Sequence, residues 1–159
     1  EAAELVGDTL REVLKKYKEQ DMDFSCSLLL GGQILGEEPK LHNIYPQGNF
    51  IAATQDTPYF QIGESKYGKP ILDRALNYFT PIEKALRCAL ISFDSTIRSN
   101  LSVATPLDLL VYKNHSFSIP QGRRLFDDDP YFQMIRSQWS EGLQQVLAQL
   151  PPPPDDYWQ

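Results

Sequence analysis

Residues 24–52 read FSCSLLLGGQILGEEPKLHNIYPQGNFIA, which is three apolar runs joined by short connections rich in glycine, proline and asparagine. The runs cover residues 24–30, 41–45 and 50–52, and each is bounded by turn residues, so they predict strands. The first run becomes fully apolar towards its end, which is typical of a strand covered on both faces. Since the connections are short, we expect an antiparallel meander. A fourth short strand is predicted at residues 59–62.

Helices are predicted on both sides of this meander. Apolar residues recur in each at the period of a helix that buries one face. The predicted spans are residues 2–19, 69–78, 81–99 and 130–150, with a break at residues 21–23. A capping box is predicted at the start of the third helix, with Thr80 as the cap and Glu83 three residues later. Asp129 is predicted to cap the fourth helix, with Pro130 at its first position.

Two further strands are predicted between the third and fourth helices. Residues 107–112 favour a strand, residues 113–116 a turn and residues 117–119 a returning strand. The order of elements is then helix, several strands, two helices, two strands and helix. That order indicates an α+β fold with an antiparallel sheet and helices gathered on a face.

The chain is interpreted as one domain at residues 1–150, followed by a tail at residues 151–159. Its 159 residues are the size of a single domain. Four successive prolines stop the last helix, and a stiff proline run can project the aromatic pair Tyr157 and Trp158. That pair either docks on a neighbouring subunit or belongs to a frayed end.

The composition excludes several functional classes. Fifteen Lys and Arg stand against 21 Asp and Glu, a net charge of −6, so the chain lacks the positive surface of a general nucleic-acid binder. No apolar run approaches the roughly 20 residues that cross a membrane. Cys26 and Cys88 lie in apolar segments, and we interpret them as buried free thiols in a reducing compartment, which favours the cytoplasm.

Residues 63–69, GESKYGK, have the spacing of a phosphate-binding loop between a predicted strand and a predicted helix. However, Pro70 stands where such a loop needs a hydroxyl group for magnesium, and it removes a backbone donor. Glu64 would also repel phosphate. A glycine-bearing turn from strand to helix is therefore the preferred interpretation, and nucleotide binding is the weaker one.

No metal site or cofactor is expected. His42 and His115 lack the paired spacing of zinc ligands, and the acidic triplet 127–129 lacks the later residues of a calcium loop. Ser99 and Ser102 flank the predicted end of the third helix, where hydroxyl groups ordinarily cap carbonyls or a turn.

Several longer strings carry a resemblance that covers nearly the whole chain. They are GGQI (31–34), IYPQGNFI (44–51), IGESKYGKPILDR (62–74), SFDST (92–96), RSNLSV (98–103) and RSQWSEGL (136–143). Together they resemble Anbu, the bacterial relative of the proteasome β subunit. The resemblance implies a four-layer αββα sandwich of the N-terminal nucleophile hydrolase type. The helix at residues 2–19 would be the second helix of one outer layer, so the first helix and N-terminal strands would be absent from this chain.

The resemblance also implies a mechanism. In this family type a Thr, Ser or Cys at residue 1 attacks an amide carbonyl, with its own α-amino group as the base. Residue 1 here is Glu, so no catalytic residue is assigned to this chain. The positions that match the active-site support of proteasome subunits are Glu64, Ser65, Ser99 and Ser102. Ser99 departs from an acidic pattern, and Glu64 stands where those subunits have serine.

The function expected from the resemblance is that of a subunit of a proteasome-like threonine-type peptidase or amidohydrolase, with the nucleophile on a missing segment. The partners would be other copies of the chain in a ring-like assembly and a peptide or amide substrate. The alternative is a non-catalytic assembly or interaction subunit with the same fold. We expect these 159 residues alone to be inactive, and the sheet face opposite Phe24, Cys26 and Leu28 to be uncovered.

Overall fold

The computed structural model describes residues 1–18 and 23–158. Its elements are α1 (Ala2–Lys16), β1 (Leu28–Gly32), β2 (Lys40–Ile44), β3 (Phe50–Ala52), α2 (Lys69–Ala75), α3 (Ile82–Ser99), β4 (Leu107–Leu109), β5 (Arg123–Leu125), α4 (Pro130–Gln149) and a final 3₁₀ turn (Asp155–Trp158). Helix α1 ends at Lys16, with Tyr17 as its cap, which is earlier than the predicted residue 19. The break predicted at residues 21 and 22 lies outside the described residues, as does Gln159.

The first sheet is an antiparallel meander in the order β1-β2-β3, as predicted. Leu28 pairs with Ile44, which in turn pairs with Phe50. The prediction that β1 begins at residue 24 is wrong, because the chain leaves β2 at Tyr45 for a tight turn and offers residues 24–27 no partner. That turn closes with the Tyr45 amide donating to the Asn49 carbonyl at 2.8 Å.

Two other expectations about these strands are wrong. β1 is not covered on both faces, since Leu28 and Leu29 are both exposed. Residues 59–62 form no strand, because no described segment pairs with them. Cys26 is exposed rather than buried, since it precedes the paired part of β1, whereas Cys88 on α3 is buried as predicted.

Helix α1 packs on β2 and β3. The contact is close because Gly7 of α1 meets Gly48 of the β2–β3 turn, and a Cβ built on Gly7 would lie 2.1 Å from the Gly48 carbonyl oxygen. Beneath the helix Ile44 is fully buried. A cavity of about 540 Å³ remains between the start of α1 and the same sheet face, beside His42 and Phe50.

The second and third helices begin and end close to the predicted positions. The predicted capping box at Thr80 is wrong, because its hydroxyl oxygen accepts from the Asn77 amide at 2.9 Å and Pro81 occupies the cap position of α3. The predicted end of α3 is confirmed, with Ser99 as its last residue. Helix α2 ends at Ala75, before the predicted residue 78.

The second sheet pairs β4 with β5 antiparallel, with Leu107 opposite Leu125. The predicted return strand at residues 117–119 is wrong, because the chain continues through a longer loop before it pairs. An ion pair marks the true register: the Arg124 guanidinium donates to both carboxylate oxygens of Asp108, at 2.7 and 2.9 Å.

The start of α4 is confirmed in detail. The Asp129 carboxylate accepts from the amides of Tyr131 and Phe132, and Pro130 is the first helical residue. The buried core lies between α3, α4 and this second sheet and consists of Leu90, Leu107, Leu125, Phe132 and Ile135. The α+β class with small antiparallel sheets is therefore confirmed. The four layers implied by the resemblance stay a prediction.

No helix among the described residues combines the length and apolar character that a membrane crossing requires.

Candidate functional site

Two segments that are distant in sequence meet at one end of α3. The first is the turn at residues 63–66, which leads from the irregular segment after β3 into α2. Gly63 has a φ of +75° there, a backbone conformation that residues with a Cβ atom rarely adopt. The second is residues 99–102, where α3 ends. These two segments carry Glu64, Ser65, Ser99 and Ser102, the four residues that the resemblance assigns to active-site support.

A side-chain bridge joins the two segments. The Asn100 amide Nδ2 donates to Oε2 of Glu64 at 2.8 Å, across 36 residues of sequence. The other carboxylate oxygen of Glu64 accepts from the Lys66 backbone amide at 2.8 Å. The side-chain oxygen of Asn100 accepts from the Ser102 backbone amide, also at 2.8 Å. The structure therefore brings Glu64 next to the end of α3.

The four predicted residues differ in their exposure. Glu64, Ser99 and Ser102 are exposed, whereas Ser65 is partly buried. Asn100, which makes the link, was not among the predicted site residues. Its position directly after a helix end suggested only a cap, and an amide that bridges to a distant carboxylate leaves no local signal in the sequence.

Ser65 lines a separate cavity of about 420 Å³ with Tyr59, Gln61, Lys69 and Asp73. The Lys69 ammonium lies 2.7 Å from both carboxylate oxygens of Asp73. The Tyr59 hydroxyl donates to the same carboxylate. Ile51, Phe60 and Leu76 line the same cavity, so its walls are partly polar and partly apolar, and the lysine that lines it is already paired with a carboxylate.

These contacts shift the titration of all three groups. Hydrogen bonds from Lys69 and then Tyr59 lower the pKa of Asp73. The hydrogen bond to Asp73 raises the pKa of Lys69. Burial and then the hydrogen bond to Asp73 raise the pKa of Tyr59. The three groups form one stable charge state at neutral pH, which suits a structural cluster better than proton transfer.

The geometry argues against a phosphate-binding loop at residues 63–69. The Lys66 amide, which would face a phosphate, donates to the Glu64 carboxylate instead. Lys69 is held by Asp73 rather than free to reach an anion. A carboxylate inside the loop would repel phosphate, so the contacts favour the interpretation of this motif as a glycine-bearing turn into a helix. The strand predicted before that turn is absent, as described above.

The end of α3 is also fixed against α4. Asp94 of α3 is only 2% exposed and accepts from Arg136 Nε of α4 at 2.8 Å. Arg98 donates to the same carboxylate at 3.1 Å. Arg136 also reaches Asp127 at 2.7 Å, so its guanidinium bridges two carboxylates. This network, in which Asp94 is the buried member, holds the turn of helix that precedes Ser99.

Groups of three or more metal-ligating side chains do not occur within residues 1–18 and 23–158. In the acidic triplet, Asp127 pairs with Arg136, and Asp129 caps α4 while pairing with Arg123 at 2.7 Å. Both carboxylates are therefore used in holding α4.

Comparison with family models and with curated proteins finds no match for this chain. Solved structures do match. A structure described as the helical assembly of the Anbu complex from Pseudomonas aeruginosa superposes with a TM-score of 0.92 at 59% identity, covering 98% of this chain and 66% of that one. Anbu, the ancestral β-subunit, from Yersinia bercovieri gives a TM-score of 0.90 at 60% identity, with 97% and 65% covered. A Gly-1 mutant of Anbu from Hyphomicrobium sp. strain MC1 gives 0.89 at 45% identity, with 96% and 64% covered. The chain thus spans just under two thirds of the length of these neighbours.

Proposed function

Because this chain belongs to the Anbu family of proteasome-related β-subunit-like proteins, we propose that it is part of a subunit that hydrolyses amide bonds. The proposed enzyme is a threonine-type, N-terminal nucleophile peptidase or amidohydrolase. Its nucleophile is contributed by a segment outside residues 1–159, and its substrate is a peptide or another amide.

One observation carries this proposal: the Asn100–Glu64 hydrogen bond of 2.8 Å gathers the two segments that bear all four candidate support residues. A terminal amine placed beside these segments would lie near the Glu64 carboxylate and near the segments that carry the hydroxyl groups of Ser65, Ser99 and Ser102. Hydroxyl groups can donate to or accept from an amine, so they can orient it in either charge state.

In the proposed reaction the terminal hydroxyl or thiol group attacks the amide carbonyl carbon, and its proton passes to the free α-amino group. The amine of the substrate leaves with a proton, and water then cleaves the resulting ester or thioester. The residues of this chain would hold and orient the amine. Proteasome subunits have an acidic residue at the position of Ser99, and a second carboxylate there would raise the pKa of the terminal amine. Because Ser99 is uncharged, the pKa of the amine would stay nearer its ordinary value of roughly 7.7–8.0.

The test is intact mass and N-terminal sequencing of the complete natural protein, followed by hydrolysis of a peptide panel. We expect a terminal Thr, Ser or Cys, release of cleaved peptide, and loss of activity on substitution of that residue. A complete protein that lacks such a residue, or that cleaves nothing while correctly folded, would refute the proposal and favour the non-catalytic assembly subunit.

We also propose that residues 1–150 form one domain that assembles with other copies of itself, with residues 151–159 as a projecting tail. The Pseudomonas aeruginosa neighbour is described as a helical assembly. In this chain the second half of α4 has no charged residue from Gly142 to Leu150, yet its apolar side chains are exposed, as are Tyr157 and Trp158. An uncharged, exposed apolar surface of this kind is typical of a protein–protein interface.

Sedimentation of the complete protein tests this assembly. Leu147→Glu is expected to lower the mass of the assembled species, because it places a charge within the exposed apolar surface of α4. Gln138→Glu adds the same charge at an exposed position in the first half of the same helix, outside this surface, and serves as the control. An unchanged sedimentation profile for Leu147→Glu would place the interface elsewhere.

A further inference from the structure

We propose that Asn100 is a positioning residue of the candidate site: its side chain holds the turn at residues 63–66 against the end of α3. The Glu64 carboxylate is then a fixed acceptor within this bridge rather than a proton donor or acceptor in the reaction. The inference rests on the proposed function only for its catalytic consequence, since the bridge itself is a structural feature.

Asn100 uses all four of its hydrogen-bonding groups. Its backbone amide donates to the Thr96 carbonyl at 2.8 Å, and its backbone carbonyl accepts from Val103 at 3.1 Å. Its side-chain oxygen accepts from the Ser102 amide at 2.8 Å, while Nδ2 donates to Glu64 at 2.8 Å. A residue held by four hydrogen bonds has little conformational freedom, so its side chain also fixes the position of the group that it binds.

The residue type at position 100 follows from this arrangement. The side chain must offer an acceptor to Ser102 and a donor to Glu64, and the amide of asparagine supplies both. Aspartate would keep the acceptor, lose the donor and face the Glu64 carboxylate with a like charge. The bridge therefore depends on the NH₂ group of Asn100.

The turn is fixed at its other end as well. Gly68 is buried against α3, where a Cβ built on it would lie 2.1 Å from Ser92 Oγ. Residues 63–68 therefore run along the last part of α3, with Gly68 against Ser92 and Glu64 against Asn100. This accounts for the two glycines of the phosphate-loop-like motif: Gly63 adopts a positive φ, and Gly68 allows the close approach.

The base of this arrangement is rigid. The Thr96 hydroxyl donates to the Ser92 carbonyl at 2.9 Å inside α3. The buried Asp94 carboxylate ties the same stretch of helix to Arg136 of α4 at 2.8 Å. Through its hydrogen bond to Glu64, Asn100 holds the turn that carries Glu64 and Ser65 at a fixed place relative to the end of α3. This is the role of a positioning residue.

A polarity exchange tests this bridge. Asn100→Asp alone removes the donor, and Glu64→Gln alone places an amide opposite Asn100. When the two substitutions are combined, the new amide at position 64 can donate to the new carboxylate at position 100. The amide oxygen at position 64 then accepts from Lys66, and the carboxylate at position 100 accepts from Ser102. The double variant therefore keeps the three hydrogen bonds and the net charge. Asn114→Asp, on an exposed turn, controls for added charge.

Two readouts are measured on the complete protein: hydrogen exchange at the Lys66 backbone amide, and kcat and KM for a cleaved peptide. Asn100→Asp is expected to speed hydrogen exchange at the Lys66 amide about tenfold. The substitution removes the hydrogen bond from Asn100 that fixes the Glu64 carboxylate, and that carboxylate is the acceptor for the Lys66 amide. The same substitution is expected to lower kcat by about tenfold or more with KM nearly unchanged, because misplaced groups mainly affect the transition state. The double variant is expected to recover both towards wild type.

Unchanged exchange and kcat in Asn100→Asp, or a double variant no better than the single ones, would overturn the inference. If the folded wild-type protein cleaves nothing, the proposed function fails, and the exchange measurements alone decide whether Asn100 holds the turn. If Asn100→Asp fails to fold, the double variant is compared with Glu64→Gln instead. The inference then requires the Lys66 amide to exchange faster in Glu64→Gln than in the double variant.

Discussion

The region formed by α3, α4, β4 and β5 encloses its own core, whereas the three-stranded sheet keeps partly exposed apolar side chains on both of its faces. In the first region Phe132 has no exposed surface and contacts residues from both the helices and the hairpin. In the second, Ile44 is fully buried, but its pairing partners Leu28 and Phe50 on the same face are 39% and 40% exposed. On the other face Leu29 and Ile51 are 40% and 43% exposed.

This difference shows which parts of the chain are stabilised by contacts within it. A side chain that is fully removed from water contributes its whole transfer free energy, while one that stays 40% exposed contributes only part of it. We therefore expect substitutions in the two regions to have very different effects on the free energy of unfolding, and four experiments test that expectation.

The largest effect is expected for Phe132→Ala. Removing a fully buried ring leaves a cavity between α3, α4 and the hairpin, and should lower the free energy of unfolding by about 3–5 kcal/mol. Chemical denaturation followed by circular dichroism measures this change. Phe79→Ala is the control, since that ring is 77% exposed and its loss should change stability by less than about 0.5 kcal/mol. Similar losses in the free energy of unfolding for the two variants would mean that the core around Phe132 does not stabilise the protein more than an exposed ring does.

The next effect concerns the two arginines that share Asp94. Arg136→Met should lower the free energy of unfolding by about 3 kcal/mol, because it leaves a buried carboxylate without its inner partner. Arg98→Met removes a side chain that is 56% exposed, against 20% for Arg136, and should cost less than about 1 kcal/mol. Equal losses from the two would show that Asp94 is solvated rather than buried.

The sequence predicted the enclosed region better than the open one. The period of α3 and α4, and the Asp129–Pro130 start of α4, depend on local propensity and on side chains that the chain itself buries, so these predictions are confirmed. The β4–β5 register was missed, since the loop between those strands is longer than the turn signal at residues 113–116 suggested.

In the open sheet the errors share a physical cause. A strand is defined by its partner, and residues 24–27 and 59–62 have strand-like composition but no described neighbour to pair with. Among the site residues, Glu64 was found through the resemblance and its contact with the end of α3 is present. Asn100 was missed, because a long-range side-chain bridge depends on the three-dimensional approach of two segments.

A third experiment addresses the close backbone contact between α1 and the sheet. Gly7→Ala would ordinarily stabilise a helix by about 1 kcal/mol. Here the added methyl group meets the Gly48 carbonyl, a backbone atom that cannot rotate away, so we expect a net loss of about 1–2 kcal/mol. Thermal unfolding measures the difference from Gly142→Ala, a helical position with open space around the new Cβ, which should gain about 0.5–1 kcal/mol. A stabilising Gly7→Ala would show that α1 does not seat on the β2–β3 turn.

The smallest effect on stability is expected at Leu29 and Ile51 of the three-stranded sheet, where it is accompanied by a large change in surface properties. Leu29→Thr and Ile51→Thr replace partly exposed apolar side chains with a β-branched residue that suits a strand, so each should lower the free energy of unfolding by only about 1 kcal/mol or less. The two neighbouring positions are paired through Asn43 across the sheet, so the double variant should bind much less of a fluorescent dye that reports apolar surface. Ile44→Thr, at a fully buried position, should instead destabilise strongly and leave dye binding of the folded protein unchanged. A loss of more than about 2 kcal/mol in the Leu29 or Ile51 variant would mean that the sheet face bearing these two residues is covered in solution, because only a buried methyl-bearing side chain carries that much transfer free energy.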